Sequence, residues 1–369
     1  MGIEDRNEAY LAEQYAVIGQ WRTDFRQKSV SLAEFDVVLV RDRIVPIDKP
    51  EFAQVSKPPE YMRPDEPVIA VSFGADARAY PLAILMWHEI VNDTVGGKPV
   101  AVTFCPLCNS SLVFERMVNG RVLSFGTSGA LRHSDLVMWD RQTESWWQQV
   151  TGEALVGSLT GSRLAIVQSS VMSWHAFVEA YPAGKVLERV FRSDGSPLRP
   201  YDDPPYAGYD RTSEPPFLFA GTLDGRLLPT SRVLALEVSG VAVAYPFEFL
   251  KAQGVVNDMV GGSGIVAMFD PQVQSPFRDT RGDSWNSGAA TLFSRTLAGK
   301  TLTFAMVDGT VRDTETGSEW TTTGMAVSGP MAGASLQPLP HGNYFWFAWA
   351  VFKPETELRS ELAHLHQGP

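Results

Sequence analysis

The chain has 369 residues, 44% apolar and 20% charged, with a formal net charge of -11. That length supports a real core without metals or disulfides merely to hold it together, and the composition is globular. The acidic balance speaks against nucleic acid or an anionic membrane surface as a partner, since both need a basic face. Two cysteines cannot form a secreted disulfide framework, and no apolar run reaches the roughly 18 residues of a membrane span. The N-terminus is charged from Glu4 and shows no apolar leader. The expectation is a cytoplasmic protein with a small-molecule substrate and no nucleic-acid or membrane partner. A homo-oligomer is left open.

In chain order, the first twenty-odd residues predict an amphipathic helix, followed by a lead-in that ends near residue 59. Apolar runs at 68–73 and 78–80, split by Gly74-Ala75-Asp76, predict a hairpin. Pro81 suits the first turn of a helix that runs to about Val91, with Asn92-Asp93 and Gly96-Gly97 marking a turn. Residues 100–104, 111–116, 121–125 and 136–139 are strand-like. There is no G-x-G-x-x-G, no P-loop and no G-x-S-x-G, so nucleotide binding and serine hydrolysis lack their signatures.

The chain repeats itself. Ala79-Tyr80-Pro81 recurs as Ala244-Tyr245-Pro246, and Val91-Asn92-Asp93-Thr94-Val95-Gly96-Gly97 recurs as Val256-Asn257-Asp258-Met259-Val260-Gly261-Gly262. Asp140, Thr143 and Trp147 meet Asp313, Thr316 and Trp320, and Trp174 meets Trp346. Residues 60–187 therefore correspond to residues 228–356. This divides the chain into a lead-in segment (1–59), a first repeat (60–190), a linker rich in Pro, Asp and Tyr (191–227) and a second repeat with a tail (228–369). The expected fold class is a β-rich α+β unit in two tandem copies, packed with pseudo-two-fold symmetry.

Duplication supplies an internal control. Residues present in both copies read as scaffold: Asn92, Asp93, Gly96 and Gly97, and the turn of Asp140, Thr143, Ser145 and Trp147. Residues held by the first copy alone are candidates for chemistry. Cys105 falls on Asp270, Cys108 on Val273, His88 on Gln253, Glu89 on Gly254 and His175 on Phe347. His133 has no secure counterpart, and Trp146 lacks a matching tryptophan.

The Cys105-Pro106-Leu107-Cys108 element lies between two strand-like runs. A thioredoxin-type motif opens a helix instead, so this one is closer to the thiolate knuckles that grip a metal. Two thiolates need company. His88 is the first candidate, then His133, then His175. A Cys2His set with an open position is a catalytic pattern. Soft sulfur ligands favour copper(I), zinc or iron, with copper placed first here. Packed thiols and a reversible disulfide are the alternatives for the cysteines, and a satisfied core histidine is the alternative for His88. Asp135, Asp140, Arg141 and Glu144 line a polar pocket or form an ion-paired turn. His364 and His366 lie in the tail with no expected role, and a second-copy site through Asp270 or His341 stays open.

The stretch AYPLAILMWHEIVNDTVGGKPVAVTFCPLCNSSLVFER, with FGTSGALRHSDLVMWDRQTESWWQQVTGEALVGSLTG after it, resembles the DUF3179 family, as does DRIVPIDKPEF before it. The likeness covers most of the first copy and extends into the second. It points at His88, Glu89, Cys105, Cys108 and the segment 134–148, and supplies no reaction. The functional expectation is a metal-dependent enzyme, foremost an oxidoreductase, with the metal on Cys105, Cys108 and His88 and proton transfer by Glu89 or Asp135. A metal-free dithiol redox protein and a non-catalytic metal-binding scaffold are the alternatives.

Overall fold

The computed structural model describes residues 3–211, 214–278 and 285–361; His364 and His366 lie outside them. Strands Pro67–Phe73 and Asp76–Pro81 form the expected hairpin, paired from Phe73↔Asp76 to Val68↔Pro81. Because successive strand residues point to opposite faces, Ile69, Val71 and Tyr80 enter one core while Val68, Ala70 and Ala79 enter another. Ser170–Ser173 joins one edge antiparallel, and Lys185–Leu187 joins the other in parallel.

Pro81 ends the second strand and stands before the helix Leu82–His88, which is shorter than the sequence predicts. Glu89 donates its N–H to the Leu85 carbonyl (2.7 Å), and Ile90 and Val91 already pair with Thr103 and Val102. Asn92 and Asp93 consequently lie within the strand Ile90–Val95, and only Gly96 (φ 53°) and Gly97 (φ 80°) make the turn. Both polar residues remain structural. Asp93 accepts from the Tyr80 hydroxyl (2.6 Å) and from Arg78, while Asn92 exchanges two hydrogen bonds with the backbone of Phe125. Strand Lys98–Cys105 follows, and Ser110–Glu115 returns beside it.

A second antiparallel sheet runs in the order Phe35–Val37, Phe125–Arg132, Asp135–Asp140, Trp146–Gln148, Ala154–Val156. The strand expected over 121–125 is only the short Arg121–Val122; Phe125 opens the next one. Asp140 binds the Thr143 backbone and hydroxyl and the Trp147 indole, and Asp313 repeats each bond with Thr316 and Trp320. Trp146 is covered by the N-terminal region. After the helix Ile3–Gly19, Trp21, Phe25 and Phe35 pack their rings against it with Tyr15. Glu319 follows the matching turn in the second half and stands at the same place, only half-buried and paired to Arg312 at 2.7 Å.

The fold class differs from the expectation. The protein is mostly β, with 14% helix, and is not an α+β pair of tandem copies packed about a pseudo-two-fold axis. Val233, Ala235 and Phe277, with residues 344–350, share the core that holds Ile69, Phe104 and Cys108. Leu234 and Leu236, the alternate residues of the strand Arg232–Val238, face a separate smaller core. That strand is a wall between two cores, so the apolar faces are buried jointly and not unit by unit. Among the described residues, no helix is long and apolar enough to cross a membrane.

Candidate metal centre

Cys105 ends its strand, and Pro106–Cys108 forms one turn of 3-10 helix. Pro106 sits at the first helical position, where a missing N–H costs nothing. Asn109 then adopts the left-handed conformation (φ 50°, ψ 28°), letting Ser110 pair back onto Cys105. Its side-chain oxygen accepts from Arg232 Nη1 at 3.0 Å, which ties the turn to the second half of the chain. Gln149 braces the same strands by donating to Thr103 Oγ1 (2.9 Å) and accepting from Ser110 Oγ (2.7 Å).

Asp135 arrives from a different hairpin. Arg132 and Asp135 face each other across the two-residue turn His133 (φ 53°) and Ser134 (φ 69°). Two consecutive positive φ values define a turn that usually takes Asn-Gly, so holding His and Ser there stores backbone strain. The turn delivers the Ser134 carbonyl to 3.8 Å from Cys105 Sγ and 3.6 Å from Cys108 Sγ. Asp135 Oδ2 accepts from Gln148 Nε2 (2.6 Å) and the Val150 N–H (3.0 Å), while Oδ1 is buried with no partner among the described residues. The two sulfurs and an Asp135 oxygen all lie within 4.8 Å of one another.

Glu89 stands at the edge of this group, near enough to Asp135 and Cys105 to interact electrostatically. It caps the helix Leu82–His88 at φ 57°, ψ -33°, a conformation unusual for a side chain larger than glycine. Burial and the neighbouring Asp135 push its carboxyl up to about 8. Burial raises Asp135 to about 6 against the lowering effect of Gln148, the Val150 N–H and the two thiols, lifts Cys105, and lifts Cys108 well above the ordinary thiol value. Four acidic groups thus converge with no Lys, Arg or His bonded to any of them among the described residues.

His88 is not in the cluster. Its Nδ1 lies 2.6 Å from the Val45 carbonyl, which can only accept, so Nδ1 carries the proton; Nε2 accepts from the Tyr201 hydroxyl at 2.8 Å. With both nitrogens engaged, it has no lone pair for a metal. His133 is not in the cluster either, with Nε2 3.7 Å from Glu34 and its ring against Phe219 and Phe352. His175 is exposed on a helix beside Glu179. Of the expected ligands the structure gathers Cys105 and Cys108, and it adds Asp135, expected as a proton carrier. Asp140 belongs to its own turn, with Thr143 and Trp147. Glu144 accepts from the Arg22 backbone and pairs with its guanidinium, and Arg141 faces Asp42 and Asp48. These three therefore make ion-paired or hydrogen-bonded turns outside the site.

The linker is part of the site. Tyr201 is buried on His88, Tyr206 lies near Glu89 and Cys105, and Tyr209 lies near both cysteines. Burial pushes Tyr209 up to about 12. The Gly208 N–H donates to the Phe277 carbonyl (2.8 Å), and Asp210 accepts from Arg232 at 2.7 Å, so the segment is fastened on both sides. Its tyrosines, spaced through PYDDPPYAGYD, were the available signal in the sequence.

A mostly β fold enclosing a thiol–carboxyl cluster under a tyrosine-bearing strap is the class of protein that these features define. Residues 41–356 match the family model described as "Protein of unknown function (DUF3179)", and the chain belongs to that family. No curated protein and no solved structure matches it.

Proposed function

We propose that this protein is a metal-dependent enzyme in which Cys105, Cys108 and Asp135 hold one transition-metal ion and Glu89 moves a proton beside it. The observation that carries this reading is the convergence of four buried acidic groups without a cationic partner. Buried charges are ordinarily paired or bound to metal, and a cation at the centre would draw all four toward their ionised forms. Two sulfurs and a carboxylate oxygen suit zinc or iron; with no imidazole in the set and a hard oxygen present, copper loses its first place.

Three protein ligands leave one position for a substrate atom or water. The ion would supply Lewis acidity, or electron transfer if it is iron, which is the oxidoreductase form of the proposal. Gln148 and Val150 orient the Asp135 carboxylate, Arg232 steadies the cysteine turn through Asn109, and Glu89 gives or takes the proton. Raised thiol pKa values and full burial oppose plain dithiol exchange, which needs an accessible thiolate.

Elemental analysis of protein purified without a histidine tag tests the proposal. The expected result is about one zinc or iron per chain, lost in Cys105→Ser and Cys108→Ser, reduced in Asp135→Asn and unchanged in His88→Ala. Metal-free wild-type protein that also refuses added zinc, iron and copper(I) would overturn it.

A further inference from the structure

A cleft of about 370 Å³ lies beside the cluster and is lined by both halves of the chain. Leu112 and Val150 come from the first half; His341, Tyr344, Trp349 and Phe352 come from the second. Its size is that of a small-molecule site. The cleft and the cluster are neighbours, since the Val150 N–H is bonded to Asp135 and Tyr344 interacts electrostatically with the same carboxyl.

His341 gives the cleft its polarity. Its Nδ1 lies 2.7 Å from the Leu339 carbonyl and must carry the proton, because a carbonyl can only accept. Nε2 is therefore a bare acceptor, and it is buried without a partner among the described residues. The residue is only 8% exposed and lines the cleft. Burial also lowers the ring to about 4, keeping it neutral near neutral pH. The cations around the cleft already face carboxylates: Arg132 meets Glu34, Arg163 meets Glu153 and Lys353 meets Glu237. The lining is thus poorly suited to an anion. Beside these ion pairs it offers one unmet acceptor, Nε2 of His341, and the rings of Tyr344, Trp349 and Phe352.

We propose that the cleft binds a small neutral aromatic molecule whose hydroxyl or N–H group donates a hydrogen bond to Nε2 of His341, with its ring packed against Tyr344, Trp349 and Phe352. A partner for a buried, unsatisfied acceptor discriminates strongly between a ligand that has the donor and an isostere that lacks it. This binding does not require the metal.

The test is calorimetric titration of the full chain with β-naphthol and with β-naphthyl methyl ether, which lacks the donor. The expected result is at least about tenfold tighter binding of β-naphthol. That preference disappears in His341→Phe and persists in Cys105→Ser, which separates this proposal from the metal reading. In wild-type protein with isotope-labelled histidine, β-naphthol shifts the Nε2 resonance of His341 and the ether does not. Equal affinity for the two probes, no binding of either, or an unmoved Nε2 resonance would each overturn the proposal, whether or not the His341 variant folds.

Discussion

Glu89 and Gly254 occupy matching helix ends. Each donates its N–H to the leucine four residues back, each carbonyl accepts from a strand phenylalanine, and each has positive φ, 57° for Glu89 and 71° for Gly254. The second half fills the position with the residue that the backbone favours. The first half instead carries a buried carboxyl there, beside the cysteines.

Replacing Glu89 by Gly should therefore relieve strain. The expected outcome is a chain at least as stable as wild type, by about 1 kcal/mol in urea unfolding, that still retains metal on Cys105, Cys108 and Asp135. A loss of stability instead would mean that contacts of the carboxyl, and not its acidity, keep it in place.

His341 predicts an acid-side weakness. Its folded-state value of about 4 lies below the ordinary 6.5, so the unfolded chain binds the proton more readily between those limits. The neutral buried ring contributes stability that is complete above pH 6.5 and is lost as pH falls toward 4, up to about 3 kcal/mol. Denaturation across that window should show a smaller slope in His341→Phe than in wild type.

The largely covered guanidinium of Arg232 bonds Asn109, Asp210 and Ser275. Arg232→Met leaves the Asp210 carboxylate to Ser275 and Trp285 without its cation and should cost about 3–5 kcal/mol, with much of the loss recovered by Asp210→Asn in the same chain. Metal retention should fall in the single variant, because Asn109 closes the cysteine turn. Urea titration of the double-mutant cycle, with metal content measured alongside, checks both statements.

Trp146 anchors the N-terminal segment. Trp146→Ala should cost about 3–5 kcal/mol. It should also open the chain near Arg22 and Arg26, so that limited trypsin digestion cuts there first. Unchanged cleavage order would show that the segment is held by its other contacts.

The internal repeat made much of the scaffold legible. Asp93 and Asp258 each bind a tyrosine hydroxyl, and the Asp140 and Asp313 turns match bond for bond, as their shared sequence implied. The cysteine turn was legible too, because its residues are adjacent in the chain. His88 misled because closeness along the chain is not closeness in space; its two partners, Val45 and Tyr201, come from distant segments. The shared core was hidden for a different reason. Both faces of Arg232–Val238 are apolar, so no alternation distinguishes the face turned to the first half from the face turned away. Asp135 could be singled out in the sequence, but its approach to the sulfurs depends on a His-Ser turn that composition alone would not place there.

The tyrosine strap has a consequence for any attempt to divide the molecule. Tyr201, Tyr206 and Tyr209 lie beyond the first repeat, and the strap is fastened through Asp210 and Gly208 to residues still further along. A fragment stopping at residue 190 would contain Cys105, Cys108, Asp135 and Glu89 and lack the tyrosines that cover them. Its thiols should react faster with an alkylating reagent than those of the full chain, because Tyr206 and Tyr209 would be gone. The first half's cysteine turn is therefore covered by residues that come later in the chain.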